Sequence, residues 1–308
     1  MPVAAYRLTS NADPEERLEE AALWKALHDE YGDAIVAVPE GERAPKGLPV
    51  FGRPLRFGFG GGLNPVSNNL PYWNDPAFLA HAGRRFSVCE WEEVEAAVAA
   101  LHADGLGAFL KSTRSKHAIF RIPVGSTVME TVQDMAYSFL DGGPALMVQE
   151  MCDVTFEHRF FCIDRTIVTD SPVQPALTPL DFPLAPGTTF RTPQDRWPVS
   201  APEVTEALRK VAEEVADAME PEHASIDCAM VNGKPAVIEL NPMRLGQLGL
   251  YAADVRALAR ASHVLLANPS MDDGFEGSAL VVNGTPPRPE DETEPEIELD
   301  LSFLDFKG

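Results

Sequence analysis

Leu18, Ala22, Leu23 and Leu27 recur at a helical interval behind Asp13 and Pro14, a capping residue followed by the residue best suited to a first helical turn, and Gly32 closes the segment. The spacing predicts a helix, and with it the start of an α/β layout. Apolar runs at 34–38 and 50–57 read as strands, and the stretch 58–74, rich in Gly, Asn and Pro, as a loop. A second cap pair, Asp75 and Pro76, begins a short helix. Val94, Ala97, Val98 and Leu101 then mark a longer one that ends at Gly105. Strands follow at 108–111 and 118–122. Val128, Val132, Met135 and Phe139 share one face of a helix stopped by Asp141-Gly142-Gly143, and 145–149 is a buried strand.

From Phe156 the pattern becomes antiparallel. One hairpin pairs 159–163 with 166–170 around Asp164-Arg165, and another pairs 225–231 with 235–240 around Asn232-Gly233, the strongest short hairpin signal in the chain. Between them lie a Pro-rich loop, 172–198, and a helix with Val204, Leu208, Val211, Val215 and Met219 on one side. A last helix is expected over about 251–267. After Pro286 the run PRPEDETEPEIELD buries too little apolar surface to fold alone and reads as a mobile acidic tail. Leu301, Phe303, Leu304 and Phe306 could dock that tail, but a solvated terminus is the favoured reading.

Composition narrows the classes. The chain has 308 residues, 45% hydrophobic and 23% charged, enough for a substantial core and more than one lobe. No apolar run approaches the roughly 20 residues needed to span a bilayer, and MPVAAYRLTS lacks the order of a signal peptide, so a cytoplasmic address is expected. Cys89, Cys152, Cys162 and Cys228 form no CxxC pair and read as buried thiols, which argues against zinc or a disulfide framework. A net charge of -22 repels phosphate backbones and anionic lipid, which excludes nucleic acid and membrane surfaces as general partners. Oligomeric state is not legible.

The most informative segment is SIDCAMVNGKPAVIELNP. Residues two apart on a strand face the same way, so Glu239 and Asn241 present oxygen ligands side by side, with Asp227 across the ladder. Such a set suits magnesium. Glu239 is the one charge in an otherwise buried-looking strand, a position more often functional than incidental. Lys111 ends an apolar strand and opens the polar loop Ser112-Thr113-Arg114-Ser115-Lys116, which reads either as a phosphate cradle or as an ordinary basic turn. Downstream, the strand 146–149 delivers Glu150 and Met151. Glu157 and Arg159 follow on one strand face, where an acceptor for sugar hydroxyls or a simple salt pair is possible. GFGGG at 58–62 lacks the ending of a P-loop and the spacing of a dinucleotide fingerprint, and no Gly-x-Ser-x-Gly elbow is present.

In their order, FLKS, MVQEM, EHRFF, SID and IELNP resemble the ATP-grasp superfamily over about residues 84–267. The resemblance implies an α+β ATP-grasp fold, two lobes with antiparallel sheets that sandwich ATP. It implies an N-terminal substrate-side region at 1–83, a small lobe at 84–148, a large lobe at 149–285 and the tail at 286–308. Lys111 and Lys116 would then contact the phosphates, Glu150 and the backbone of Met151 the adenine, and Glu157 the ribose. Asp227, Glu239 and Asn241 would hold Mg2+. Arg159 and Arg244 become candidates to neutralise the substrate carboxylate, Arg244 favoured because it follows the metal strand, while Arg121 reads as structural. The implied activity is ATP- and magnesium-dependent joining of a small-molecule, peptide or protein carboxylate to an amine through an acylphosphate. A small-molecule kinase and a non-catalytic nucleotide-binding protein are the rivals. Two features depart from the family: the loop after Lys111 has no glycine, and the N-terminal region is short.

Overall fold

Three sheets organise the computed structural model, which describes residues 2–8, 14–39, 45, 48, 50–52, 72–113, 119–132, 145–173, 201–243 and 248–267. The first is parallel. It holds β1 (Ala4–Arg7), β2 (Ile35–Val38) and β3 (Val50–Gly52) in the order β2-β1-β3, with α1 (Pro14–Tyr31) and a 3-10 turn, Gly32–Ala34, between the first two strands. β1 has no counterpart in the sequence reading, because four residues are too few to display a period. Its Ala4, Ala5 and Tyr6 are fully buried all the same.

The second sheet is antiparallel, in the order β4-β7-β5-β6: β4 (Phe86–Cys89), β5 (Ala108–Ser112), β6 (Ile119–Ile122) and β7 (Leu146–Glu150). Ahead of it stands α2 (Pro76–His81), begun as expected by Asp75, whose carboxylate accepts from the Ala77 N–H at 2.8 Å. α3 (Trp91–Ala103) covers the sheet with the stripe the sequence marked, packing Val94, Val98 and Leu101 against Leu110, Ile122, Leu146 and Val148. α4 (Val128–Val132) carries the first half of the predicted helix, while Met135 and Phe139 lie outside the described residues.

The third sheet is also antiparallel, in the order β11-β10-β8-β9: β8 (Val154–Ile163), β9 (Thr166–Pro172), β10 (Ala224–Val231) and β11 (Lys234–Pro242). Both hairpins turn through left-handed pairs, Asp164 and Arg165 at φ 52° and 57°, Asn232 and Gly233 at φ 49° and 77°. That backbone matches the twist of the flanking strands. α5 (Pro202–Ala218) covers the back face, burying Leu208, Ala212 and Val215 with Phe160, Ile226, Val237 and Leu240.

The single helix expected over 251–267 is instead two, α6 (Val255–Ala261) and α7 (His263–Ala267). Tyr251 is held at φ 49°, and Asp254 caps α6 by accepting from the N–H groups of Arg256 and Ala257. At Ser262 the hydroxyl donates to the Leu258 carbonyl at 2.7 Å, a local bond that competes with helix continuation. Residues of α1, β1 and α6 share one apolar cluster with Phe161, Ile163 and Met243, which seats the N-terminal region on the third sheet.

All four cysteines are free. Cys89, Cys162 and Cys228 are buried, but Cys152 is only half-buried, which corrects the reading of four buried thiols. Arg121 is exposed on β6. Among the described residues no helix is long and apolar enough to cross a membrane. The expected loops within 58–71 and 174–198 and the acidic tail lie outside those residues.

Candidate functional site

The front face of the third sheet carries charge where alternation would usually place apolar side chains. On β8, Glu157 and Arg159 precede Phe161 and Ile163. Asp227 on β10 stands opposite both Arg159 and Glu239 in the ladder, and Ser225 opposite Asn241. The register then slips. Asp227 pairs with Glu239 and Cys228 with Val237, so Ile238 is an extra residue in β11.

These side chains converge. Arg159 donates from Nε and one terminal nitrogen to the two oxygens of Asp227, both at 2.7 Å, and from its other terminal nitrogen to the Leu248 carbonyl at 2.7 Å. The bidentate fork fits a carboxylate, and it settles which partner Arg159 takes: Asp227, not Glu157. The Asn241 amide nitrogen donates to Asp227 at 3.2 Å and to Glu239 at 3.1 Å. From the second sheet, Lys111 donates to the other oxygen of Glu239, so one ion pair joins the two sheets. Gly249 makes room for Arg159: at φ +61°, a Cβ there would lie 2.4 Å from the guanidinium.

Burial and charge set the protonation. Fully buried Asp227 is pushed above the ordinary carboxylate range by desolvation, against the opposing charge of Arg159. Desolvation would raise Glu239 too, but the charge and hydrogen bond of Lys111 outweigh it and hold the carboxyl at about 2. Burial works to lower the Lys111 ammonium, yet Glu239 raises it above its usual value. Glu157 is left over. Burial first, then the charges of Asp227 and Glu239, lift it from 4.5 to about 7. Three carboxyls, Asp227, Glu157 and Glu239, crowd one face and raise one another's proton affinity, a repulsion that a cation among them would relieve.

Two aromatic residues here were not singled out from sequence. Tyr72 is buried beneath Lys111, whose ammonium lies 5.9 Å from the ring centroid, and Tyr251 packs under Arg159 at 5.7 Å. Neither belongs to an apolar period that the sequence displays, so periodicity offers no signal for them.

Other expected residues stand apart from this cluster. The Glu150 carboxylate accepts from the Arg85 backbone N–H at 3.1 Å and from the Asn232 amide at 3.5 Å. Met151 is 40% exposed, and its N–H already donates to the Gly107 carbonyl at 2.8 Å, leaving its carbonyl and side chain as the groups able to meet a base. Lys116 and Arg244, with Arg114, lie outside the described residues.

A divalent cation can be tested against the donors present. Asn241 lies within hydrogen-bond reach of both Asp227 and Glu239, so three oxygen-bearing side chains meet at one place, and each carboxylate keeps lone pairs beyond those engaged. The all-oxygen set and the crowding of carboxyls fit magnesium. Among the described residues no group of three His, Cys, Asp or Glu side chains is placed to hold a metal, so a cation here would rest on two carboxylates and one amide.

No family model and no curated protein sequence matches the chain. Solved structures do. A D-cycloserine synthetase, DcsG, is 14% identical and superposes with a TM-score of 0.53 over 85% of this chain and 100% of its own. The ATP-grasp ligase PsnB, solved with a minimal precursor, is 10% identical with a TM-score of 0.52 over 86% of this chain and 99% of its own. The chain has the ATP-grasp fold.

Proposed function

We propose that the chain is an ATP- and magnesium-dependent ligase that joins a carboxylate to an amine through an acylphosphate. The observation that carries this is the ion pair between Lys111 of the second sheet and Glu239 of the third, within a cluster that also holds Asp227, Asn241 and Arg159. On this reading Asp227, Glu239 and Asn241 hold magnesium, which when bound neutralises charge on the transferring phosphoryl oxygens. Glu157 accepts from the ribose, Glu150 and Met151 face the adenine, and Lys116 joins Lys111 on the phosphates.

Lys111 is held by Glu239. A triphosphate would offer Lys111 a denser negative charge than Glu239 does, which would leave Glu239 with Asp227 and Asn241 to hold a cation. Arg159 has five N–H donors, of which two face Asp227 and one faces Leu248. It therefore fixes Asp227 while retaining donors for a substrate carboxylate, a task shared with Arg244. The fold is shared with a D-cycloserine synthetase and with an ATP-grasp ligase, which supports ligation and leaves small-molecule, peptide and protein substrates all in play. A cytoplasmic address belongs to the same proposal.

Thermal unfolding with ATP or ADP, with and without magnesium, on wild type and Glu239→Gln tests it, because a ligand specific for the native state stabilises by about 2.7 kcal/mol at a hundred times its Kd. A magnesium-dependent rise in midpoint that disappears in the variant is expected. No shift with any nucleotide sinks the ATP site, and a Glu239→Gln enzyme that still turns over sinks the metal assignment.

A further inference from the structure

We propose that Arg84 is a positioning residue that sets the direction of the Glu239 carboxylate by clamping the bulge in β11, an assignment that rests on the ligase reading above. Neighbouring carbonyls of a regular strand point to opposite edges, so one side chain cannot reach two in succession. Arg84 does reach two: its terminal nitrogens donate to the carbonyls of Val237 at 2.8 Å and Ile238 at 2.9 Å. The register slip makes this possible, since Val237 and Ile238 together oppose one position of β10. β11 is an edge strand, so its outer carbonyls have no strand partner among the described residues. The flat guanidinium fork matches two acceptors held side by side.

The bulge decides where Glu239 points. Under strict alternation Val237 and Glu239 would share a face. Val237 instead lies with Leu240 in the apolar cluster beneath α5, while Glu239 and Asn241 meet Asp227 on the front. One extra residue switches the phase, and Arg84 caps that residue. The same guanidinium is anchored from the other side: Nε donates to the Gln149 side chain of β7 at 2.8 Å, and a terminal nitrogen to the Ala82 carbonyl at 2.9 Å. The neighbouring backbone is pressed onto β11, because Gly83 sits at φ +63° with space for a Cβ closed by Ala236 at 2.7 Å. Arg84 thereby ties the second sheet, which carries Lys111, to the backbone immediately before Glu239.

The test uses Arg84→Met, which keeps the apolar stem, and Arg84→Lys, which keeps the charge without the fork. Three quantities are measured on the full chain: Mn2+ affinity with saturating ADP, from the electron paramagnetic resonance of free Mn2+; ADP affinity in EDTA, by calorimetry; and backbone hydrogen exchange across Lys234–Pro242. In Arg84→Met, Mn2+ affinity is expected to fall about tenfold or more, ADP affinity without metal to hold, and the amides around the bulge to exchange faster. Arg84→Lys should recover part of the metal affinity. If the Met variant fails to fold, Arg84→Lys against wild type carries the same comparison. Unchanged Mn2+ affinity, a parallel loss of metal-free ADP binding, or unchanged exchange overturns the proposal. If wild type takes up no Mn2+ with ADP, the ligase reading fails, and the exchange measurement alone decides whether Arg84 holds the bulge.

Discussion

Glu157 is the carboxyl of the cluster without an ion pair among the described residues, and replacing it with Gln should make the nucleotide-free protein more stable at alkaline pH. Its folded-state value is about 7 against an ordinary 4.5, raised by burial and by the charges of Asp227 and Glu239. Between those two values the native chain binds a proton that the unfolded chain has released, so stability falls as pH rises through that window and levels off above it. At about 1.4 kcal/mol per tenfold change in proton affinity, the ionised side chain costs the wild type about 3 kcal/mol by pH 8. Glu157→Gln keeps the shape and removes the charge. Its advantage should be under about 1 kcal/mol at pH 5 and reach about 3 kcal/mol at pH 8. Urea unfolding of both proteins in EDTA, at steps from pH 5 to pH 9, reads this directly. A stability difference that does not change with pH, or that grows toward acid, would refute the burial and carboxyl repulsion assigned to Glu157. The same substitution should weaken nucleotide binding, a trade of function against stability that charged sites commonly show.

Arg159→Met leaves the buried Asp227 carboxylate without its guanidinium and should cost about 3–5 kcal/mol in denaturant unfolding; adding Asp227→Asn should recover part of that loss, and additive losses would argue against the pair. Lys111→Met removes a charge-assisted bond worth about 1.5–3 kcal/mol, so calorimetry should show ATP affinity down by about tenfold or more, and an unchanged affinity would remove Lys111 from the phosphate site. Gly83→Ala forces a side chain into left-handed backbone 2.7 Å from Ala236, for an expected loss of roughly 1–3 kcal/mol in thermal or urea unfolding, and a neutral result would mean that the contact with β11 relaxes freely.

Legibility followed the length of each signal. The stripes of α1, α3 and α5 and the turn pairs Asp164-Arg165 and Asn232-Gly233 were readable because period and left-handed turn chemistry are local properties of the chain. β1 escaped because its four residues carry no period, and the break at Ser262 escaped because it depends on one hydroxyl bond rather than on a Gly or Pro. In the site, Glu239 and Asn241 could be placed on one strand face from spacing alone, but not with Asp227: a regular hairpin around Asn232-Gly233 pairs Asp227 with Ile238, and only the bulge brings Glu239 opposite it. The pairing of Arg159 with Asp227, 68 residues away, and of Lys111 with Glu239, 128 residues away, could not.

The linear order of residues determined the helices, the two hairpins, the acidic character of the chain and the side chains able to do chemistry, since each of these is decided within a few neighbouring positions. Tertiary structure alone decided which charges face one another, that burial and neighbouring carboxyls raise Glu157, that Met151 has its N–H engaged by Gly107, and that an extra residue at Ile238 turns Glu239 to the front. Those outcomes depend on register and on burial, quantities that arise only when distant strands share an edge and exclude water between them.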